Sequence, residues 1–168
     1  MTGKKITHGF LVEKAAKWLT HNCPVVVTEL ATQNREHPDV LGFNTGGNTI
    51  LIEVKADRSD FLNDAKKIFR RKPDTGMGKW RYYACPKGLI QVDELPPKWG
   101  LLEWRGNGFI HTKRAQPQER KINAEITILI SCLRRLGIAC KNGVSIKVYA
   151  HQTQCRSILF VNEDIDRE

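Results

Sequence analysis

The sequence predicts an α/β domain in which a helix, a strand, a hairpin, a second helix and further strands are arranged around one sheet. Three observations carry that expectation. Apolar residues at helical spacing fill 9–21, where Leu11, Ala15, Trp18 and Leu19 fall on one side with Val12 and Ala16. Pro24 ends this stretch, and the β-branched run Val25-Val26-Val27-Thr28 follows as a buried strand. Two extended segments, 39–43 and 49–56, then flank Asn44-Thr45-Gly46-Gly47-Asn48, a strong hairpin signal.

The next element is a second helix. Ser59 offers an N-cap and Asp60 suits the first turn. Phe61, Leu62, Ala65, Ile68 and Phe69 form its apolar stripe, with Lys66, Lys67 and Arg70 opposite and Pro73 closing it. Beyond the loop at 74–78, strands are expected at 80–85, 101–104 and 109–112, the last two joined by the turn Arg105-Gly106-Asn107-Gly108. Residues 122–136 read as a helix with Ile122, Ile126, Leu129 and Leu133 on one face and Gly137 as its stop. A terminal strand pair at 145–150 and 157–161 completes the reading.

The chain of 168 residues is long enough for one cored domain. The expected division is a core over about 9–115 and a C-terminal helix and strand extension over about 118–168. No run approaches the ~20 apolar residues of a membrane span, and Met-Thr-Gly-Lys-Lys lacks a secretory h-region, so a cytoplasmic location is expected. Five cysteines with no Cys-x-x-Cys pair argue against a disulfide framework. A zinc set of Cys132, Cys140, His151 and Cys155 matches no common spacing, and buried free thiols are the simpler expectation.

The net charge of +9 points to a polyanionic partner. From Arg58 to Arg81 eight basic residues stand against three acidic ones. Lys66, Lys67, Arg70, Arg71 and Lys72 are the expected nucleic-acid contacts. The alternative is a solvated basic face.

Chemistry concentrates on the hairpin. In Ile50-Leu51-Ile52-Glu53-Val54-Lys55-Ala56, alternation puts Ile50, Ile52, Val54 and Ala56 on one face and Leu51, Glu53 and Lys55 on the other. Taken alone, this is a half-buried strand showing a Glu–Lys pair to water. If 44–48 form the loop, however, Phe43 pairs with Thr49 and Asp39 falls opposite Glu53. A two-residue Gly46-Gly47 turn would turn Asp39 towards the apolar face, which register normally avoids. Two opposed carboxylates repel unless a cation neutralises them. Their oxygens suit a hard ion, Mg2+ or Mn2+, and Lys55 could stabilise charge developing on a phosphate.

Pro38-Asp39, thirteen intervening residues and Glu53-Val54-Lys55 resemble the core motif of the PD-(D/E)XK nuclease superfamily. The resemblance covers residues 9–86, about half the chain. Asp-Val-Leu-Gly with Glu-Val-Lys-Ala-Asp-Arg-Ser-Asp-Phe is similar, more narrowly, to the MmcB-like group of DNA-repair and phage proteins. The resemblance implies a restriction-endonuclease-like αβββαβ core with a mixed sheet flanked by helices. It implies that Asp39, Glu53 and the Val54 carbonyl ligate the metal, that Lys55 is the catalytic lysine, and that Glu13 adds a carboxylate from the first helix. Glu13 could instead pair with Lys17 at i+4. Glu29 is a weaker candidate, and Arg58, Ser59 and Asp60 could support the site or merely cap the helix.

The expected function is a Mg2+-dependent (or Mn2+-dependent) nuclease in DNA repair, recombination or phage DNA processing. DNA is favoured over RNA and endonucleolytic over exonucleolytic cutting, and a homodimer would suit double-strand cleavage. The alternatives are a nucleic-acid-binding module of the same fold without turnover, and an interaction protein with an acidic partner. Trp18, Trp80, Trp99 and Trp104 are expected in the core. Of Tyr82 and Tyr83, one should face the core and the other a substrate groove.

Overall fold

The computed structural model describes residues 6–28 and 36–142, with side chains described as far as 132. Helix α1 (His8–Leu19) starts at Thr7, whose hydroxyl caps the backbone N–H of Phe10. It buries Leu11, Val12, Ala15, Ala16 and Leu19 of the expected stripe, while Trp18 is half-buried against the same core. Strands β1 (Val25–Thr28), β2 (Val40–Phe43) and β3 (Thr49–Val54) run antiparallel in sequence. After helices α2 (Arg58–Asp64) and α3 (Ile68–Arg71), strand β4 (Trp80–Pro86) returns parallel to β3. Strand β5 (Gly100–Trp104) is parallel to β4, and β6 (Phe109–Lys113) closes the sheet antiparallel to β5. The result is a mixed six-stranded sheet, ordered β1-β2-β3-β4-β5-β6, with helices on both faces.

The two faces have separate cores. On one, α1 packs on Val26, Val40, Ile52, Val54, Tyr82, Ala84, Leu102 and Trp104. On the other, Phe61 of α2 and Ala124, Ile128 and Cys132 of α4 (Ile122–Asn142) pack on Leu41, Leu51, Tyr83, Trp99 and Leu101. Leu51, Glu53 and Lys55 therefore lie beneath a second layer, and the exposed Glu–Lys pair of a half-buried strand is not what forms. Gly42 lets α1 approach β2, because a Cβ there would sit 2.6 Å from the Leu19 side chain and 2.7 Å from the Cys23 sulfur.

The hairpin takes the five-residue loop. Phe43 pairs with Thr49 and Val40 with Ile52. The Asn44 side chain accepts hydrogen bonds from the N–H groups of Gly46 and Asn48. Gly47 takes φ 69°, which a glycine adopts without strain. The register places Asp39 opposite Glu53 one residue beyond the last pair.

Two helical expectations are corrected. The helix after the hairpin is broken into α2 and α3, and its cap is Asp57 rather than Ser59: the Asp57 carboxylate accepts the Asp60 N–H at 3.0 Å. Its inward residues are Phe61, Asp64 and Arg70, while Leu62 and Ile68 are exposed. Helix α4 passes through Gly137 instead of stopping there, and turns Ala124, Glu125, Ile128 and Cys132 inward while Ile122 and Ile126 stay exposed. Both errors share a cause. Aliphatic periodicity cannot register that charged side chains with buried partners, Asp64 with Arg70 in one case and Glu125 with the Thr49 hydroxyl and the Gly78 N–H in the other, have taken inward positions. The expected strands at 145–150 and 157–161 lie outside the described residues.

Candidate active site

Asp39 precedes β2 and Glu53 lies near the end of β3, so the hairpin register alone brings them to one place. The Asp39 Oδ2 accepts the Val54 N–H at 2.7 Å, fixing the carboxylate against the strand that carries Glu53 and Lys55. The Asp39 side chain keeps 21% of its surface exposed, whereas Glu53 is 2% and Lys55 7% exposed. His8, the first residue of α1, brings its Nε2 within 3.5 Å of Asp39 Oδ1.

A buried ion network surrounds Glu53. Arg70 reaches Glu53 Oε2 at 3.2 Å, Asp64 Oδ2 at 2.6 Å and Glu36 Oε1 at 3.2 Å, with its guanidinium 4.7 Å from the Trp99 ring centroid. Lys55 Nζ lies 3.2 Å from Asp64 Oδ1 and 3.6 Å from Glu53 Oε2. Asp64 also takes the Tyr83 hydroxyl at 2.6 Å and the Lys67 ammonium at 2.7 Å. Glu36 accepts the Met77 N–H at 2.6 Å. Three inward carboxylates, Glu36, Glu53 and Asp64, thus meet Arg70, Lys55 and the rim cation Lys67, while Asp39 still repels Glu53.

Burial pushes the Glu53 carboxyl up to about 7, against the pull of Arg70 and with added repulsion from Asp39 and Asp64. Asp64 goes the other way. Burial opposes its charge, but the hydrogen bonds and charge of Arg70, with Lys67 and Tyr83, hold its carboxyl well below the usual range. Burial also raises the Tyr83 phenol, so it stays a hydrogen-bond donor to Asp64.

Glu53 Oε1 is buried with no hydrogen-bond partner. An orphaned carboxylate oxygen is costly, and the ion-pair contacts from Arg70 and Lys55 are to the other oxygen, Oε2. Among the described residues, no three His, Cys, Asp or Glu side chains form a metal cage. Asp39 and Glu53, opposed in the hairpin register, offer two carboxylates, and Glu53 Oε1 has no protein partner. That set fits Mg2+ or Mn2+, since Mg2+ keeps several waters and takes one or two protein carboxylates.

Several expected site residues are placed differently. Arg70 is buried and belongs to the ion network, so it is withdrawn from the nucleic-acid face. Arg81 is fully buried and donates to the carbonyls of Gly78, Phe69, Pro73, Gly76 and Glu119. Arg58 is held by Glu94 in a two-pronged pair. Lys66, Lys67, Arg71 and Lys72 remain exposed. Glu13 is 47% exposed and pairs with Lys17 at 2.8 Å, the i+4 surface pair. Tyr82 and Tyr83 are both buried, on opposite faces, and Tyr83 is the one at the site. Glu29 lies outside the described residues, as do His151, Cys155 and the Cys140 side chain of the zinc set.

Glu36, Asp64 and His8 are additions. Asp64 had a partial sequence signal, since it follows Phe61 by three residues and so shares its buried side of α2. Glu36 and His8 had none, because their contacts span elements far apart in the chain.

No family model matches the chain, and no curated protein matches it. Among solved structures it is similar to SPO1766, a protein of unknown function from Silicibacter pomeroyi. The two share 21% identity over 84% of this chain and 94% of that one, with a TM-score of 0.61. At that identity the likeness establishes a shared fold.

Proposed function

We propose that the protein is a divalent-metal-dependent nuclease of the PD-(D/E)XK type, hydrolysing phosphodiester bonds in nucleic acid, with DNA favoured over RNA. The observation that carries this reading is the register-matched pair Asp39 and Glu53 beside Lys55, with Glu53 Oε1 buried and unpartnered. The order α1-β1-β2-β3-α2-β4 supports it, agreeing with the αβββαβ core that the motif's resemblance implies.

Asp39, Glu53 and the Val54 carbonyl would hold Mg2+ or Mn2+, which would polarise the scissile phosphate and lower the pKa of a bound water. The chain's residues do the rest. Arg70 forms an ion pair with Glu53 Oε2, and Oε1 has no hydrogen-bond partner. The Val54 N–H orients Asp39. Asp64 keeps Lys55 beside Glu53, where its ammonium can meet charge developing on the phosphate. Glu13 would add a carboxylate from α1. In the structure Glu13 pairs with Lys17 along α1.

A binding module without turnover is the second reading. Arg70 closed on Glu53 and Lys55 closed on Asp64 favour it, because charges compensated within the protein need no metal to be retained. Labelled single-stranded, duplex and branched DNA and RNA, incubated with Mg2+, Mn2+ or EDTA, separate the two. Cleavage lost in EDTA and in Lys55→Ala is expected. Cleavage that survives both would refute the mechanism, and binding without cleavage of any substrate would establish the second reading.

A further inference from the structure

We infer that the outward side of the α2–α3 segment is a contact surface for unpaired nucleotides, so that the substrate class is single-stranded or locally unpaired nucleic acid. This rests on the nucleic-acid reading of the Asp39–Glu53–Lys55 site and narrows it.

The segment buries charged residues beside the apolar Phe61. Asp64 and Arg70 occupy inward positions because they bind each other, Lys55 and Glu53. Leu62 and Ile68 are left outside, 51% and 52% exposed. Around them Lys66, Lys67, Arg71 and Lys72 are exposed. Between Leu62 and Pro73 every exposed charge is positive, since the acidic residue of that stretch, Asp64, is turned in.

A surface that only grips the duplex backbone needs cations and hydrogen-bond donors, because phosphates and sugars carry most such contacts. Two large aliphatic side chains contribute nothing to that task. Leucine and isoleucine side chains meet nucleic acid as wedges where base steps are opened. Cations spaced among aliphatics match a strand that offers both phosphates and free base faces.

The surface also adjoins the site. Lys67 Nζ is 2.7 Å from Asp64 Oδ1, and the same oxygen is 3.2 Å from Lys55 Nζ. A strand whose phosphate pairs with Lys67 is therefore two contacts from the catalytic lysine of the proposed reaction.

The test is fluorescence anisotropy on the full chain in EDTA, using a labelled 20-nucleotide single strand and the same strand in duplex. The single strand should bind at least tenfold more tightly. Leu62→Ser/Ile68→Ser, changing only exposed side chains, should lower single-strand affinity roughly tenfold and leave duplex affinity within about twofold. Lys66→Gln/Lys72→Gln should instead weaken both and flatten the single-strand salt slope by about 1.4. Equal binding of the two forms, or an unchanged Leu62→Ser/Ile68→Ser variant with duplex binding intact, overturns the inference and leaves the nucleic-acid reading standing. Binding to neither form at low salt overturns both. Phosphatidylserine vesicles are the comparison arm, and Leu62- and Ile68-dependent binding to them alone also overturns the inference.

Discussion

Replacing Glu53 with glutamine keeps the side chain's shape and removes a carboxyl that titrates near neutrality. Burial raises that carboxyl from 4.5 to about 7 in the folded protein. The folded state therefore binds a proton more tightly than the unfolded chain. The stability this brings is fully present below about 4.5 and is lost as pH rises through 7. Each unit is worth about 1.4 kcal/mol, so between pH 5 and pH 8 Glu53 should remove about 2–3 kcal/mol of stability. Urea unfolding of wild type and Glu53→Gln at pH 5, 6, 7 and 8 measures this as a difference of slopes. Glu36, also raised by burial, and His111, lowered by burial, contribute in both proteins and cancel. At about 2 kcal/mol per M, the wild-type midpoint should fall by about 1 M relative to the variant across that range. Saturating Mg2+ should recover stability at pH 8 in wild type and not in the variant, because a bound ligand stabilises the state that binds it. Parallel pH profiles would refute the account of Glu53 as a buried carboxyl forced to ionise.

Further outcomes follow from the same contacts. Arg70→Met leaves Glu36, Glu53 and Asp64 buried without their shared guanidinium, and should cost about 3–5 kcal/mol at pH 8 by urea unfolding, with a smaller loss at pH 5 where carboxyls can protonate. Tyr83→Phe removes the hydroxyl donated to Asp64 and should cost about 1–2 kcal/mol at pH 7 by the same method. Gly42→Ala drives a methyl into Leu19 and Cys23 and should lower stability by about 1–3 kcal/mol, read as a depressed Tm. Asp39→Asn should weaken Mg2+ binding at least tenfold by titration calorimetry, while the unfolding midpoint without metal moves little, because its side chain is partly exposed and can still accept the Val54 N–H.

Much of the fold was legible because it rests on local rules. Helical spacing gave α1, β-branched runs after Pro24 gave β1, and the Asn44–Asn48 loop chemistry set the register that carries Asp39 to Glu53. That register needs only counting, since strand pairing is periodic and a slip of one residue would turn Asp39 to the apolar face. The site's wider charge network was not legible. Glu36, Asp64 and Arg70 come from three separate segments, and nothing in a single chain's periodicity says that a basic residue six positions past an acid will be buried with it.

The tertiary structure decided which charges face inward. Sequence composition offers eight basic residues from Arg58 to Arg81 as one patch, but Arg70 and Arg81 are withdrawn to satisfy buried carboxylates and carbonyls, and Arg58 is tied to Glu94. The physical reason is that a buried charge is tolerated only beside its partner, and partners meet only once the layers pack. The sequence by itself placed two carboxylates and a lysine on one hairpin. Packing then closed Arg70 and Asp64 around them, left one oxygen of Glu53 open, and turned Leu62 and Ile68 out among the remaining cations.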